Sequence, residues 1–165
     1  MARKAQVIPP PDDLKRKAVN FKKGLNLELS ESENRKVQGV VESASDRFLT
    51  EIGEKLQGVR VQSANLSEGD PAVGDYLDAI RSVSLDIKGM GGTFGYPLLS
   101  AIAKSLNDFT KKMDTATETQ LSVIRHHLDA LQVILSQGIT GEGGAQEKDL
   151  LGALRAATEK TKNGD

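Results

Sequence analysis

The sequence predicts an all-α protein: an antiparallel four-helix bundle preceded by an N-terminal arm and followed by a short C-terminal helix. Two observations carry that reading. Apolar residues recur three or four positions apart in four successive segments, and no segment sustains the apolar–polar alternation of a strand. The connections after the first two helices are short, which places neighbours antiparallel. The chain has 165 residues and 17.7 kDa, enough for one modest core. Aromatic residues are 4% of it and Trp is absent, which argues against a β-sandwich or a stacking surface for nucleic-acid bases.

Residues 1–29 read as a basic arm. Pro9, Pro10 and Pro11 disfavour an early helix, while Leu14, Ala18, Val19 and Phe21 suit a short turn that packs on the body. The bundle is expected over 30–137. Ser30 and Glu33 fit a capping box, with Ser32 as a competing cap. From there Val37, Val41, Ala44, Phe48, Ile52, Leu56 and Val59 form one long stripe, and the helix should end near Asn65 or Leu66, before Glu68-Gly69-Asp70-Pro71. A second helix spans about 72–93 with Tyr76, Ile80, Val83 and Ile87 as its buried line. A third spans about 97–112 through Leu99, Ile102, Leu106 and Phe109. The fourth runs from about Thr117 to Ser136 through Leu121, Ile124, Leu128, Leu131 and Leu135. Residues 138–144 read as a flexible Gly-rich linker. Within 138–165, Leu150, Leu151, Leu154 and Ala157 support one short helix that docks on the bundle.

The net charge is −1 and unevenly placed. Residues 1–23 carry seven Lys or Arg against two Asp, a charge of +5, which leaves −6 for the remainder. The bland reading of such a leader, a solvated or self-docking tail, is preferred over a nucleic-acid or lipid contact. No stretch is apolar enough for a signal peptide or a membrane span, so a cytoplasmic protein without membrane insertion is expected, with a monomer favoured. Cysteine is absent, which removes thiolate chemistry and Cys-ligated zinc. No phosphate-cradling loop, dinucleotide fingerprint or zinc-finger spacing is present, so no cofactor, metal or nucleic-acid partner is expected.

The informative feature is the outward face of the second helix. At about 100° per residue, Leu85 lies almost opposite the buried line, and the same face carries Asp78, Arg81, Gly89 and Gly92, with Lys88 on its flank. Each glycine in a helix costs roughly 1 kcal/mol relative to alanine. Its physical use on an exposed face is to let another surface approach closely. Arg81, Leu85, Lys88, Gly89 and Gly92 therefore read as a docking face with an apolar centre and a cationic edge.

The run Ser84-Leu85-Asp86-Ile87-Lys88-Gly89-Met90-Gly91-Gly92-Thr93-Phe94-Gly95, followed by Leu98, Leu99, Ala103 and Leu106, resembles the histidine-phosphotransfer (HPt) domains of two-component phosphorelays. In that family the run has the form His-x-x-Lys-Gly, and the histidine exchanges a phosphoryl group with a receiver-domain aspartate. The resemblance places Lys88 and Gly89 on the family's lysine and glycine, and puts Leu85 where its histidine stands. A leucine has no lone pair and cannot accept a phosphoryl group. The resemblance thus implies a docking face for a receiver domain or sensor kinase with its acceptor removed, and a binding module rather than an enzyme.

The alternative is an active phosphocarrier, either through His126 or His127, the only histidines, or in a protein whose position 85 was substituted. The fourth-helix stripe places His126 opposite the core and His127 on its margin, with Arg125 beside both. Neither has a glycine lane, and adjacent histidines miss the i,i+4 spacing that helical metal ligands use.

Overall fold

The computed structural model describes residues 30–163. Among them the protein is all-helical, with five helices: α1 Glu31–Ala64, α2 Val73–Met90, α3 Pro97–Thr110, α4 Glu118–Ser136 and α5 Ala145–Asn163. The chain divides into two units, Met1–Gly39 and Val40–Asp165. The basic arm expected over 1–29 lies outside the described residues.

In the first unit, Ser30 and Glu33 form the expected capping box. The Ser30 amide donates to Glu33 Oε2 at 2.9 Å and the Glu33 amide donates to Ser30 Oγ at 3.3 Å, so two otherwise unpartnered amides at the start of α1 are satisfied.

The second unit holds one core in a bundle-like arrangement. Phe48, Ile52, Leu56 and Val59 of α1 join Tyr76, Leu77, Ile80, Val83 and Ile87 of α2, Leu99, Ile102 and Leu106 of α3, and Leu121, Ile124, Leu128 and Leu131 of α4. The apolar stripes read from the sequence are thus the buried ones from Phe48 onward, whereas Val37 and Val41 near the start of α1 are exposed and Ala44 and Leu135 are half-buried. Pro97 opens α3 at a position where its missing amide costs nothing. Thr117 caps α4, its hydroxyl accepting from the Gln120 amide while the Gln120 side chain accepts from the Thr117 amide.

Three segments depart from the expected outline. α2 stops at Met90 rather than Thr93, because Ser100 of α3 takes over its last polar groups. The Ser100 hydroxyl lies 3.1 Å from Ile87 O and 3.3 Å from Lys88 O, and it accepts from the Gly92 amide at 2.9 Å. Residues 138–144 are pinned rather than merely flexible: the Gly141 amide donates to Gly95 O at 2.8 Å and the Leu98 amide donates to Gly141 O at 3.3 Å. That bond pair ties this segment to the turn between α2 and α3. The C-terminal helix is also a long one, 19 residues, packing on α3 and α4 with Leu154 and Thr158 buried and Leu150, Leu151 and Ala157 half-buried.

No helix among the described residues is long and apolar enough to cross a membrane.

Candidate functional site

The outward face of α2 is positioned by its two neighbours in the unit. On one side, Asn107 of α3 donates to Ser84 Oγ at 3.2 Å and Arg81 O at 3.4 Å, and Ser100 holds the helix end. On the other, Lys55 of α1 bonds Asp86 at 2.9 Å and also Glu51 at 2.7 Å. Leu85 rises between these seams. It is 57% exposed, the most exposed large apolar side chain on α2. A Cβ added at Gly89 would meet nothing within 4 Å, so the space one turn beyond Leu85 is open to an approaching surface.

The structure separates the five residues of the expected face. Leu85 and Gly89 are exposed and Lys88 is half-buried on the α3 side, as the helical arithmetic places them. Arg81 is committed elsewhere. Its guanidinium donates to Thr110 O at 3.0 Å and Met113 O at 2.9 Å and pairs with Asp78, so it closes the C-terminal end of α3 instead of standing free for a partner. Carbonyls at a helix end carry partial negative charge, which a guanidinium satisfies. Gly92 is exposed but lies beyond the end of α2, in the turn, with its amide held by Ser100. It borders the face without extending the helical lane.

Gly91 has a role the sequence did not reveal. It is buried, and a Cβ there would lie 2.8 Å from Ser100 Oγ and 2.9 Å from Ile87 O. It is the glycine that lets α3 close against the end of α2. Gly95, at φ +88°, makes the turn itself.

α3 adds a cationic border that no sequence pattern announced. Lys104 pairs with Asp108 at 2.5 Å. That carboxyl is held below its ordinary value first by the Lys104 hydrogen bond, against an opposing effect of burial, with Lys88 and Lys111 adding attraction. Lys88 of α2, Lys104 of α3 and Lys111, the residue after α3, are thus the cations that act on this aspartate, one position along α3 from the Asn107 that meets Ser84. On the α1 side of α2 the relief is different: an open cleft of about 470 Å³ lined by Phe48, Met90 and Phe94 together with the charged Arg47, Glu51 and Asp86, with the Phe48 and Phe94 rings 5.1 Å apart.

The two histidines part company. His127 is fully buried, not marginal as its own helix suggests, because α3 covers it. Its Nδ1 lies 2.8 Å from Val123 O and its Nε2 lies 3.1 Å from Ser105 Oγ. A carbonyl only accepts, so Nδ1 carries the proton and Nε2 accepts from the serine hydroxyl. Burial foremost holds this imidazole below its ordinary value. Both ring nitrogens are engaged and no surface reaches them. His126 is exposed, in a groove with Thr119, Ser122 and Lys160. Arg125 serves neither: it donates to Ser63 O, to Leu66 O and to Glu118, tying α4 to the end of α1. Among the described residues, no group of three or more His, Cys, Asp or Glu is placed to hold a metal ion.

Comparison with protein-family models, with curated proteins and with solved structures finds no match to this chain.

Proposed function

We propose that the chain is an HPt-like antiparallel four-helix module, incompetent in phosphotransfer, that binds a receiver domain or sensor kinase of a two-component system through the outward face of α2. The single observation that carries the reading is Leu85. It stands exposed at the centre of that face, with open space over Gly89 and Lys88 beside it, and the sequence resemblance aligns it with the family's histidine. Burying one leucine in an interface is worth about 1.5–3 kcal/mol. An unpaired imidazole in the same place would bring a polar desolvation cost instead. The substitution removes the acceptor and leaves a surface suited to binding. Sequestration of a response regulator, or competition with an active phosphotransfer protein, follows from such binding.

Of the two histidines in the active-phosphocarrier alternative, this geometry leaves His126, since the His127 nitrogens are both occupied in the interior; the alternative of a substituted position 85 stands beside it. Screening purified receiver domains against the full chain, free and phosphorylated, tests the reading. Leu85→Asp is expected to weaken capture far more than Lys15→Ala. Equal losses, or an acid-labile phosphoryl group mapped to His126, would contradict it.

A further inference from the structure

We infer that Lys104 of α3 and Lys111 just past its end, with Lys88 of α2, form the second half of the docking site and select a partner surface that presents clustered carboxylates beside an apolar contact. This inference rests on the docking role of Leu85. It adds what that role leaves open: which side of Leu85 the partner's acidic groups occupy.

The geometry is asymmetric. On the α1 side of Leu85 two carboxylates share one lysine, since Lys55 is bonded to both Asp86 and Glu51. On the α3 side the balance is reversed. Lys104 has Asp108, while Lys88 and Lys111 take part in no ion pair among the described residues. Three lysines acting on one carboxylate leave an excess of two positive charges on the side of α2 where Asn107 meets Ser84, the neighbour of the exposed leucine. The chain as a whole is at −1, so this is a local reversal of sign, the arrangement that steers an oppositely charged partner and fixes its orientation. The Asp108 carboxyl, held low by its lysines, stays ionised and keeps the Lys104 ammonium turned toward the patch. It also competes with any acidic partner for that ammonium.

Nucleic acid fits this surface less well. A phosphate backbone needs a longer cationic track, and here a carboxylate sits amid the lysines with a leucine rather than an aromatic ring at the centre.

The experiment uses the full chain and isolated, unphosphorylated receiver domains as the probe. Affinity is measured at about 50 mM and about 500 mM salt, where screening lengths differ about threefold. Lys104→Glu/Lys111→Glu is expected to weaken receiver binding about tenfold or more at low salt, with the gap closing at high salt. A charge-matched reversal elsewhere, Lys36→Glu/Lys160→Glu, is expected to change affinity less than about twofold. Asp108→Asn, which removes the internal competitor, is expected to tighten binding about two- to threefold, a gain that misfolding cannot produce. Receiver binding that is lost in Leu85→Asp but unchanged in the lysine double variant overturns this inference and leaves the docking role intact. Failure of every receiver to bind the parent chain overturns both, as does capture of duplex DNA in place of receivers.

Discussion

Gly89 and Gly91 are two residues apart, and the structure assigns them opposite jobs, so the same substitution should have opposite effects. At Gly91 an alanine Cβ would stand 2.8 Å from Ser100 Oγ, 2.9 Å from Ile87 O and 3.3 Å from Tyr96 O. None of these atoms yields cheaply. Two are backbone, and the hydroxyl is held at Ile87 O, at Lys88 O and by the Gly92 amide. Gly91→Ala should therefore cost about 1–3 kcal/mol, the usual range for overpacking a closed contact. At Gly89 nothing lies within 4 Å, so alanine there gains helix propensity, about 0.5–1 kcal/mol. That corresponds to a melting temperature higher by about 1–4 °C. The same methyl fills the space beside Leu85 and should weaken a docked partner by about 1–3 kcal/mol. Thermal melts of both variants, with receiver affinities measured alongside, check the pair. A Gly91→Ala protein as stable as the parent would refute the packing argument. A Gly89→Ala protein that is more stable yet binds undiminished would refute the docking lane.

Three further outcomes follow from particular contacts. Arg81→Met should lower stability by about 1–2 kcal/mol in denaturant melts, because two charge-assisted bonds to the carbonyls of Thr110 and Met113 are lost; an unchanged midpoint would return Arg81 to the docking face. His127 titrates below its ordinary 6.5 in the folded state, so the unfolded chain binds the proton first as pH falls. Its contribution is present above that value and is lost below it. Stability should fall more steeply as pH drops below about 6.5 in the parent than in His127→Gln, and parallel curves would contradict the buried neutral imidazole. Leu154→Ala should release α5, whose buried apolar anchor it removes, at a cost of about 2 kcal/mol. Hydrogen exchange confined to α5 reads that release, and undisturbed protection there would count against the anchoring role.

What the sequence made legible is what one helix determines by itself. The buried line of α2, the capping box at Ser30 and the opening of α3 at Pro97 are local patterns, and each stands where periodicity and capping chemistry place it. The exposure of Leu85 and the open space at Gly89 also follow from a single helical wheel. The misses are contacts made beyond a single helix, with the exposed Val37 and Val41 near the start of α1 as the exception. A wheel gives the direction of the Arg81 Cβ but not the bend that carries its guanidinium to the end of α3. His127 sits on the margin of the α4 stripe, yet both α3 and α5 pack on that helix, so the buried surface is wider than one stripe. The end of α2 is decided by Ser100, well along the chain. Lys104, Asp108 and Lys111 look like an ordinary solvated face until α3 is laid beside Lys88. One signal was present: Ser84 falls on the buried line between Ile80 and Ile87, and a polar residue there implies a polar partner across the seam, which is Asn107.

The central claim is that Leu85 is the middle of a binding surface from which only the phosphoryl acceptor is missing. Leu85→His tests it most directly. The full-length variant and the parent are each incubated with a phosphorylated receiver, and acid-labile phosphoryl groups are mapped by mass. The account predicts transfer to position 85 in the variant, no transfer in the parent, and receiver binding by both. Binding by neither, or a phosphoryl group on His126 of the parent, would contradict it.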